Sequence, residues 1–294
     1  MLPNIAEARP RVFRRTAKFV PRHAQLVGPP VELGAITQVE LDIVFIHGGL
    51  AASAVPAPHF GAPMDPELLD DLVAANRILA EHNVIDAYGH VSIRHPQNPQ
   101  RFLLARAIAP ETVEREDILE YDLDANAIDP RGRESVSERF IHSEVYRSRP
   151  DVMSVVHNHS PSVIPFSVTG VPVRALFHMA AFIGEGLPNF EIRKVKKGSD
   201  LLVRDAKLGA ALAKTLGKKP AALMRGHGSV VTGEDLPRAV GRSIYLEASA
   251  RMQMQALLLS TKITFLDKGE VAASATVQDY KRAWPLWRAK ALNG

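Results

Sequence analysis

"VMSVVHNHS", residues 152–160, is the stretch whose reading decides the fold. Val152, Val155 and Val156 make a short β-branched, apolar run with no charged residue, the composition of a strand. The run nevertheless ends in two imidazoles, His157 and His159. In an extended chain residues i and i+2 point to the same side, here about 6–7 Å apart along the backbone. That arrangement offers two ligands to one ion, and it is also how two hydrogen-bonded histidines stand at a strand end.

Working outward, "SERFIHSEVYRSRPD" (137–151) reads as a helix stopped by Pro150. "SPSVIPFSVTG" follows the strand, with a cap at Ser160 and a proline in the first turn. Farther upstream, Asp65 and Pro66 open a helix whose apolar face carries Leu68, Leu72, Ala75 and Leu79. "IDAYGHVSIRHP" (85–96) and "RFLLARAIAP" (101–110) read as strands, and "DILEYDLDANAID" (117–129) as a strand pair. Downstream, "SDLLVRDAKLGAALAKTLG" (199–217) holds a helix ending at Gly217. "KPAALMRGHGSVVTG" (219–233) reads as strand, turn, strand, followed by a long helix from Asp235 to Ser260 and a terminal helix over 276–291. No glycine-rich phosphate loop of the mononucleotide or dinucleotide type occurs.

Composition narrows the chemistry. The chain of 294 residues has no cysteine, so thiolate nucleophiles, cysteine-type zinc sites and disulfides are excluded, and any metal must be held by His, Asp or Glu. The net charge of +4 is misleading, because residues 1–30 set six basic side chains against Glu7 alone, a net of +5. The remainder is close to −1, which is no nucleic-acid surface. No run is long and apolar enough to predict a membrane span. Residues 1–63 read as a basic N-terminal arm. "FRRTAKF" and the apolar stretch 41–57 loosely resemble an export leader, although His47, Gly48 and Gly49 interrupt the stretch. The catalytic domain is expected over 64–294, in a cytoplasmic protein.

Two further stretches join the His-x-His pair. "RGHGS" sets His227 between glycines at a turn, with a closely approaching backbone and an exposed ring. Glu138 opens the helix that feeds the His-x-His strand, where a carboxylate serves as a dipole partner or, beside a metal, as an acid or base. Three histidines leave open positions on a divalent ion, the pattern of a catalytic rather than a closed structural site.

This order of Glu138, His157 and His159, then "GHG" with His227 ahead of a long helix, resembles the class II aldolase/adducin family over about residues 66–265. The resemblance implies an α/β, three-layer fold, with a central, mostly antiparallel sheet flanked by helices. It implies His157, His159 and His227 as ligands of one divalent metal per subunit (Mn, Zn, Fe or Co), and Glu138 as the acid/base residue. It also implies a homotetramer with sites at subunit interfaces and a small-molecule carboxylate substrate. Where sugar-phosphate aldolases of the family carry Gly-Asn before a serine, this chain has "AYGHVS", with His90 in the place of Asn, and their Thr-Gly turn is replaced by "LLARAIAPETV". "GHVSIRHP", "RFIHSEVYRSRPDV", "HNHSPSVIPFSVTGVPVR" and "FHMAAFIGEG" are similar instead to the 3-hydroxy-2-methylpyridine-4,5-dicarboxylate decarboxylase branch, and also to dihydroxyphthalate decarboxylases.

The branch implies a metal-dependent lyase that decarboxylates a hydroxylated aromatic or heteroaromatic carboxylate. A retro-aldol on a non-phosphorylated hydroxy-oxo acid and a non-catalytic, adducin-like binding module are the rival expectations. Glu138 is the first candidate proton donor, kept protonated by burial, and His178 the second. His90 and Ser92 are expected to contact substrate oxygens, and Arg106 to pair with a second carboxylate. His82, His95 and His142 are assigned solvent, turn or helix positions.

Overall fold

The computed structural model describes residues 64–293. The expectation of a basic arm or leader over 1–63 lies outside the described residues. The chain forms helix α1 (Pro66–Glu81), then strands β1 (His90–Arg94), β2 (Arg101–Ala105) and β3 (Ile118–Asp122). Helix α2 (Arg139–Ser148) leads into β4 (Ser154–Asn158), a short α3 (Ile164–Thr169) and β5 (Asn189–Phe190). Then come α4 (Ala206–Leu216), the β6 (Ala221–Met224) and β7 (Gly228–Gly233) pair, and helices α5 (Leu236–Leu259), α6 (Lys268–Ala275) and α7 (Ala283–Asn293).

The strands make one seven-stranded sheet in the order β3-β2-β1-β4-β7-β6-β5, antiparallel except for the β5–β6 pair. The quoted stretch is thus the central strand. Every residue of β4 is buried, because successive side chains enter two different cores. Val156 joins Val91, Leu103 and Val231 beneath α1 and α5, through Leu72, Ile78, Leu79 and Val240. Val155 joins Phe102, Leu104 and Val230 beneath α2 and α4, through Ile141, Val145, Leu208 and Leu212. Each such side chain, fully buried, stabilises the fold by roughly 1.5–3 kcal/mol relative to leaving it in water. Those two cores require three layers, as expected.

Asp65 caps its helix as expected, and two further aspartates act in the same way. Asp65, Asp205 and Asp235 each accept a backbone N–H of the following helix, which satisfies a donor that the first turn would leave bare. Four expectations need correction. The strand pair at 117–129 is β3 plus a single bridge, Tyr121 to Ala127, because Asp122 takes the Asn126 N–H and closes a tight polar turn. The strand at 101–110 stops at Ala105, since Pro110 opens a 3-10 turn. Ser160 caps no helix, as three turn residues intervene before α3. The terminal helix expected over 276–291 is α7, which begins only at Ala283, and the unexpected α6 before it is opened by a capping box between Asp267 and Glu270.

Candidate metal centre

The sheet brings four side chains to one point. His157 ends β4, and His159 lies just beyond it. His227 sits in the β6–β7 turn, and Glu138 stands at the N-terminus of α2. One ligand atom from each lies within 4.8 Å of every other. His159 Nε2 and His227 Nε2 are 3.0 Å apart, and Glu138 Oε2 is 3.5 Å from both His157 Nε2 and His227 Nε2. The turn is shaped by glycine on each side of His227. Gly226 has φ +65°, and Gly228 lies where a β-carbon would meet Asn158 O at 1.9 Å. Only glycine lets β7 approach β4 this closely, and that approach carries His227 onto the His-x-His pair.

Hydrogen bonds behind the rings decide which nitrogen faces inward. His157 Nδ1 donates to Ser229 O at 3.1 Å, and His227 Nδ1 donates to Leu201 O at 3.0 Å. A neutral imidazole carries one proton, so both Nε2 atoms present lone pairs to the centre. His157 Nε2 is fully buried and has no hydrogen-bond partner among the described residues. Converging lone pairs beside a buried carboxylate repel one another unless a cation lies between them. Ligands about 2.0–2.2 Å from one ion stand roughly 3–4 Å from each other, so the observed spacings suit a single divalent ion. His157, His159 and His227 would hold it, with Glu138 in reach.

Burial, then the neighbouring His157 and His227 rings, hold His159 down to about 4, which keeps it neutral as a ligand must be. Burial alone would push the Glu138 carboxyl up, but the neighbouring His157 and His227 rings outweigh it and hold the group well below the usual carboxylate range. Its Oε1 accepts the Val203 N–H at 2.8 Å. Glu138 is therefore carboxylate at rest, which corrects the expectation of a carboxyl kept protonated by burial.

A cavity of about 570 Å³ opens onto the cluster. Tyr88, His90, Ile108, Val136, Glu138 and His159 are among its walls, and none of its lining residues is Lys or Arg. His90 reaches this cavity, its ring 5.1 Å from that of His157. The other three expected residues do not. Ser92 is fully buried, and its hydroxyl is taken by His142 Nδ1 and Tyr146 Oη. Arg106 is bound to Asp117 through Nε at 2.6 Å, which leaves it structural. His178 is itself exposed at the start of a 3-10 segment whose Ala180, Ala181 and Ile183 are buried, and it is not among the residues that line the cavity. The sequence reading also missed His142, which it placed in a solvent, turn or helix position. His142 is fully buried next to His90. The available signal was His142 and Tyr146, one helical turn apart on α2.

Residues 70–254, most of the described chain, match the model of the Class II Aldolase and Adducin N-terminal domain family. The chain belongs to this family. Among class II aldolase relatives, the decarboxylase tropJ of Talaromyces stipitatus is 36% identical over 240 residues, covering 73% of this chain and 90% of that protein. A 3,4-dihydroxyphthalate decarboxylase of Arthrobacter keyseri is 29% identical, covering 68% of this chain and 80% of that protein. An aldolase II superfamily protein from Pseudomonas syringae superposes with a TM-score of 0.67 at 20% identity, over 79% of this chain and 94% of that one, which shows a shared fold. The chain is an enzyme of the class II aldolase family with decarboxylase relatives, acting on a small molecule. The expectation of a non-catalytic module is set aside.

Proposed function

We propose that this enzyme is a divalent-metal-dependent lyase that decarboxylates a hydroxylated aromatic or heteroaromatic carboxylate. One observation carries the choice within the family. The lining of the cavity beside the cluster is mostly apolar, its charged groups are the carboxylates Glu134 and Glu138, and it holds no Lys or Arg to neutralise a phosphate. A flat ring whose own hydroxyl and carboxylate reach the metal centre is the better occupant. The two named decarboxylase relatives support the same reading.

A bound ion (Mn, Zn, Fe or Co, all of which accept imidazole) would supply Lewis-acid stabilisation of negative charge on the substrate oxygens. Glu138, anchored through Oε1, turns Oε2 toward the same centre. As a carboxylate it takes the proton of the entering hydroxyl. It then gives that proton to the ring carbon bearing the leaving carboxylate, interrupting aromaticity. The carbon–carbon bond breaks, its electron pair restores the ring, CO2 departs, and the phenolate oxygen recovers a proton from water. The proton moved, the bond broken and the charge left behind balance without an external oxidant or reductant.

Assembly as a homotetramer with interfacial sites belongs to the same proposal, supported by the exposed Leu258 and Leu259 (88% and 89%) at the end of α5; native mass spectrometry reads it directly. The decisive test is CO2 release from a panel of hydroxylated aromatic carboxylates by metal-loaded protein. Glu138→Gln should keep the metal and lose about 10²–10⁴-fold in rate. Pyruvate or an aldehyde without CO2 would select a retro-aldol on a hydroxy-oxo acid instead, and inert, metal-replete protein across a broad panel would count against both.

A further inference from the structure

Behind the ligand histidines lies a second line of polar groups that the proposed reaction leaves unused. Tyr146 Oη is 2.7 Å from Ser92 Oγ, Ser92 Oγ is 2.6 Å from His142 Nδ1, and His142 Nε2 is 2.6 Å from His90 Nδ1. All four residues are buried, and only His90 lines the cavity. The geometry follows from the fold. His90 and Ser92 are i and i+2 on β1, His142 and Tyr146 are i and i+4 on α2, and each pair therefore presents one face to the other.

Each link could run in either sense, and counting protons chooses between them. Both imidazoles are buried and neither forms an ion pair with a carboxylate among the described residues, so each ring and each hydroxyl carries one proton to place. If Ser92 donated to Tyr146, the phenol proton would have no acceptor among the described residues. If Ser92 accepted from both neighbours, its own proton would be stranded. A buried donor left unpaired costs its full desolvation penalty, so the fully paired arrangement is the stable one. The arrangement that strands none has Tyr146 donating to Ser92, Ser92 to His142 Nδ1, and His142 Nε2–H to His90 Nδ1. The His90 proton then sits on Nε2, the ring nitrogen with no partner among the described residues.

We propose that Tyr146, Ser92 and His142 are positioning residues that lock His90 as a neutral Nε2–H donor to an anionic oxygen of the substrate, and so keep it out of the metal's ligand set. The ligand histidines His157 and His227 have the opposite tautomer, because their Nδ1 protons go to carbonyls. Rings only 5.1 Å apart, His90 and His157, thus show the same Nε2 atom to the site as a donor in one case and a lone pair in the other. The chain ends at Tyr146, nearly fully buried in the core, so it has no exit to water. It fixes a tautomer and does not conduct protons through repeated turnovers. Only the identity of the bound oxygen, a carboxylate or phenolate, rests on the decarboxylase reading.

Neutron diffraction from deuterium-exchanged crystals of the full chain tests the arrangement without any turnover. Deuterons are expected on Nε2 of His90 and His142 and on Nδ1 of His157 and His227; a deuteron on His90 Nδ1 overturns the proposal. The functional arm measures salicylate binding to metal-loaded protein by calorimetry, with metal content by elemental mass spectrometry. Tyr146→Phe, Ser92→Ala and His90→Phe should each weaken salicylate about tenfold, the loss of about one donor bond, at unchanged metal content. His90→Gln, which keeps an N–H donor, should recover most of the affinity. Wild-type salicylate affinity in Tyr146→Phe and Ser92→Ala, or loss of metal in His90→Phe, would overturn it. Failure of the decarboxylase reading shows separately, as absent CO2 release with the deuterons where they are expected.

Discussion

Replacing Gly228 by alanine should damage the metal centre without touching a ligand. The added β-carbon would lie 1.9 Å from Asn158 O and 3.0 Å from His159 Cα, whereas real β-carbons essentially never come within 3.0 Å of a neighbour. Both obstructing atoms are backbone, so no rotamer change relieves the clash. The β4–β7 spacing must open by about 1 Å, and overpacking of this kind costs about 1–3 kcal/mol. The opposing gain from a stiffer unfolded chain, about 0.4–1 kcal/mol, is smaller. For a domain of this size that net loss lowers Tm by about 2–8 °C. Asn158 lies between His157 and His159, and His227 precedes Gly228, so the displacement passes directly into the ligand set. Metal–ligand distances tolerate only about ±0.2 Å, and affinity should fall by about 100-fold or more. Differential scanning calorimetry with added metal and with chelator separates the two effects. Wild-type protein should gain about 2.7 kcal/mol of stability when free metal is at about 100 times Kd, and Gly228→Ala should lose that gain. A variant with wild-type Tm and a wild-type response to metal would refute the reasoning.

Other outcomes follow from the same geometry. His157→Ala, His159→Ala and His227→Ala should each purify with little metal where the wild type holds about one ion per chain, and elemental mass spectrometry showing full occupancy in all three would dismiss the site. Arg106→Ala should leave KM unchanged and cost about 1 kcal/mol in urea denaturation, since it breaks a partly exposed pair with Asp117 rather than a substrate contact. Acid should destabilise the protein through His142. Its folded pKa, about 3, lies below the ordinary 6.5, so its contribution is complete above pH 6.5 and is lost as pH falls toward 3, by at most about 1.4 kcal/mol per pH unit. His142→Gln should flatten the plot of unfolding free energy against pH in that window, and coincident slopes would remove His142 from the account.

Local order in the chain was enough to read most elements and the metal cluster's membership, whereas the layers came from the family resemblance. The valines of "VMSVV" read as a strand, and Asp65 and Gly217 punctuate helices by hydrogen bonds made within a few residues. Glu138, His157, His159 and His227 stood out because residue type and short spacing carry their chemistry. The supporting residues were not legible in the same way. Arg106, Ser92 and His142 each have a polar group that could face substrate, solvent or core, and nothing within a turn or strand chooses. Register chooses: β1 pairs with β4 so that His90 lies opposite His157, and α2 then lays His142 and Tyr146 over His90 and Ser92. Asp117 claims Arg106 through the β2–β3 pairing. Residue type and near-neighbour spacing were enough to pick out which residues could form a metal site, and the layers around it followed from the family resemblance. Only the closed sheet fixes which nitrogen of each histidine carries its proton, because that depends on partners 26 to 72 residues away.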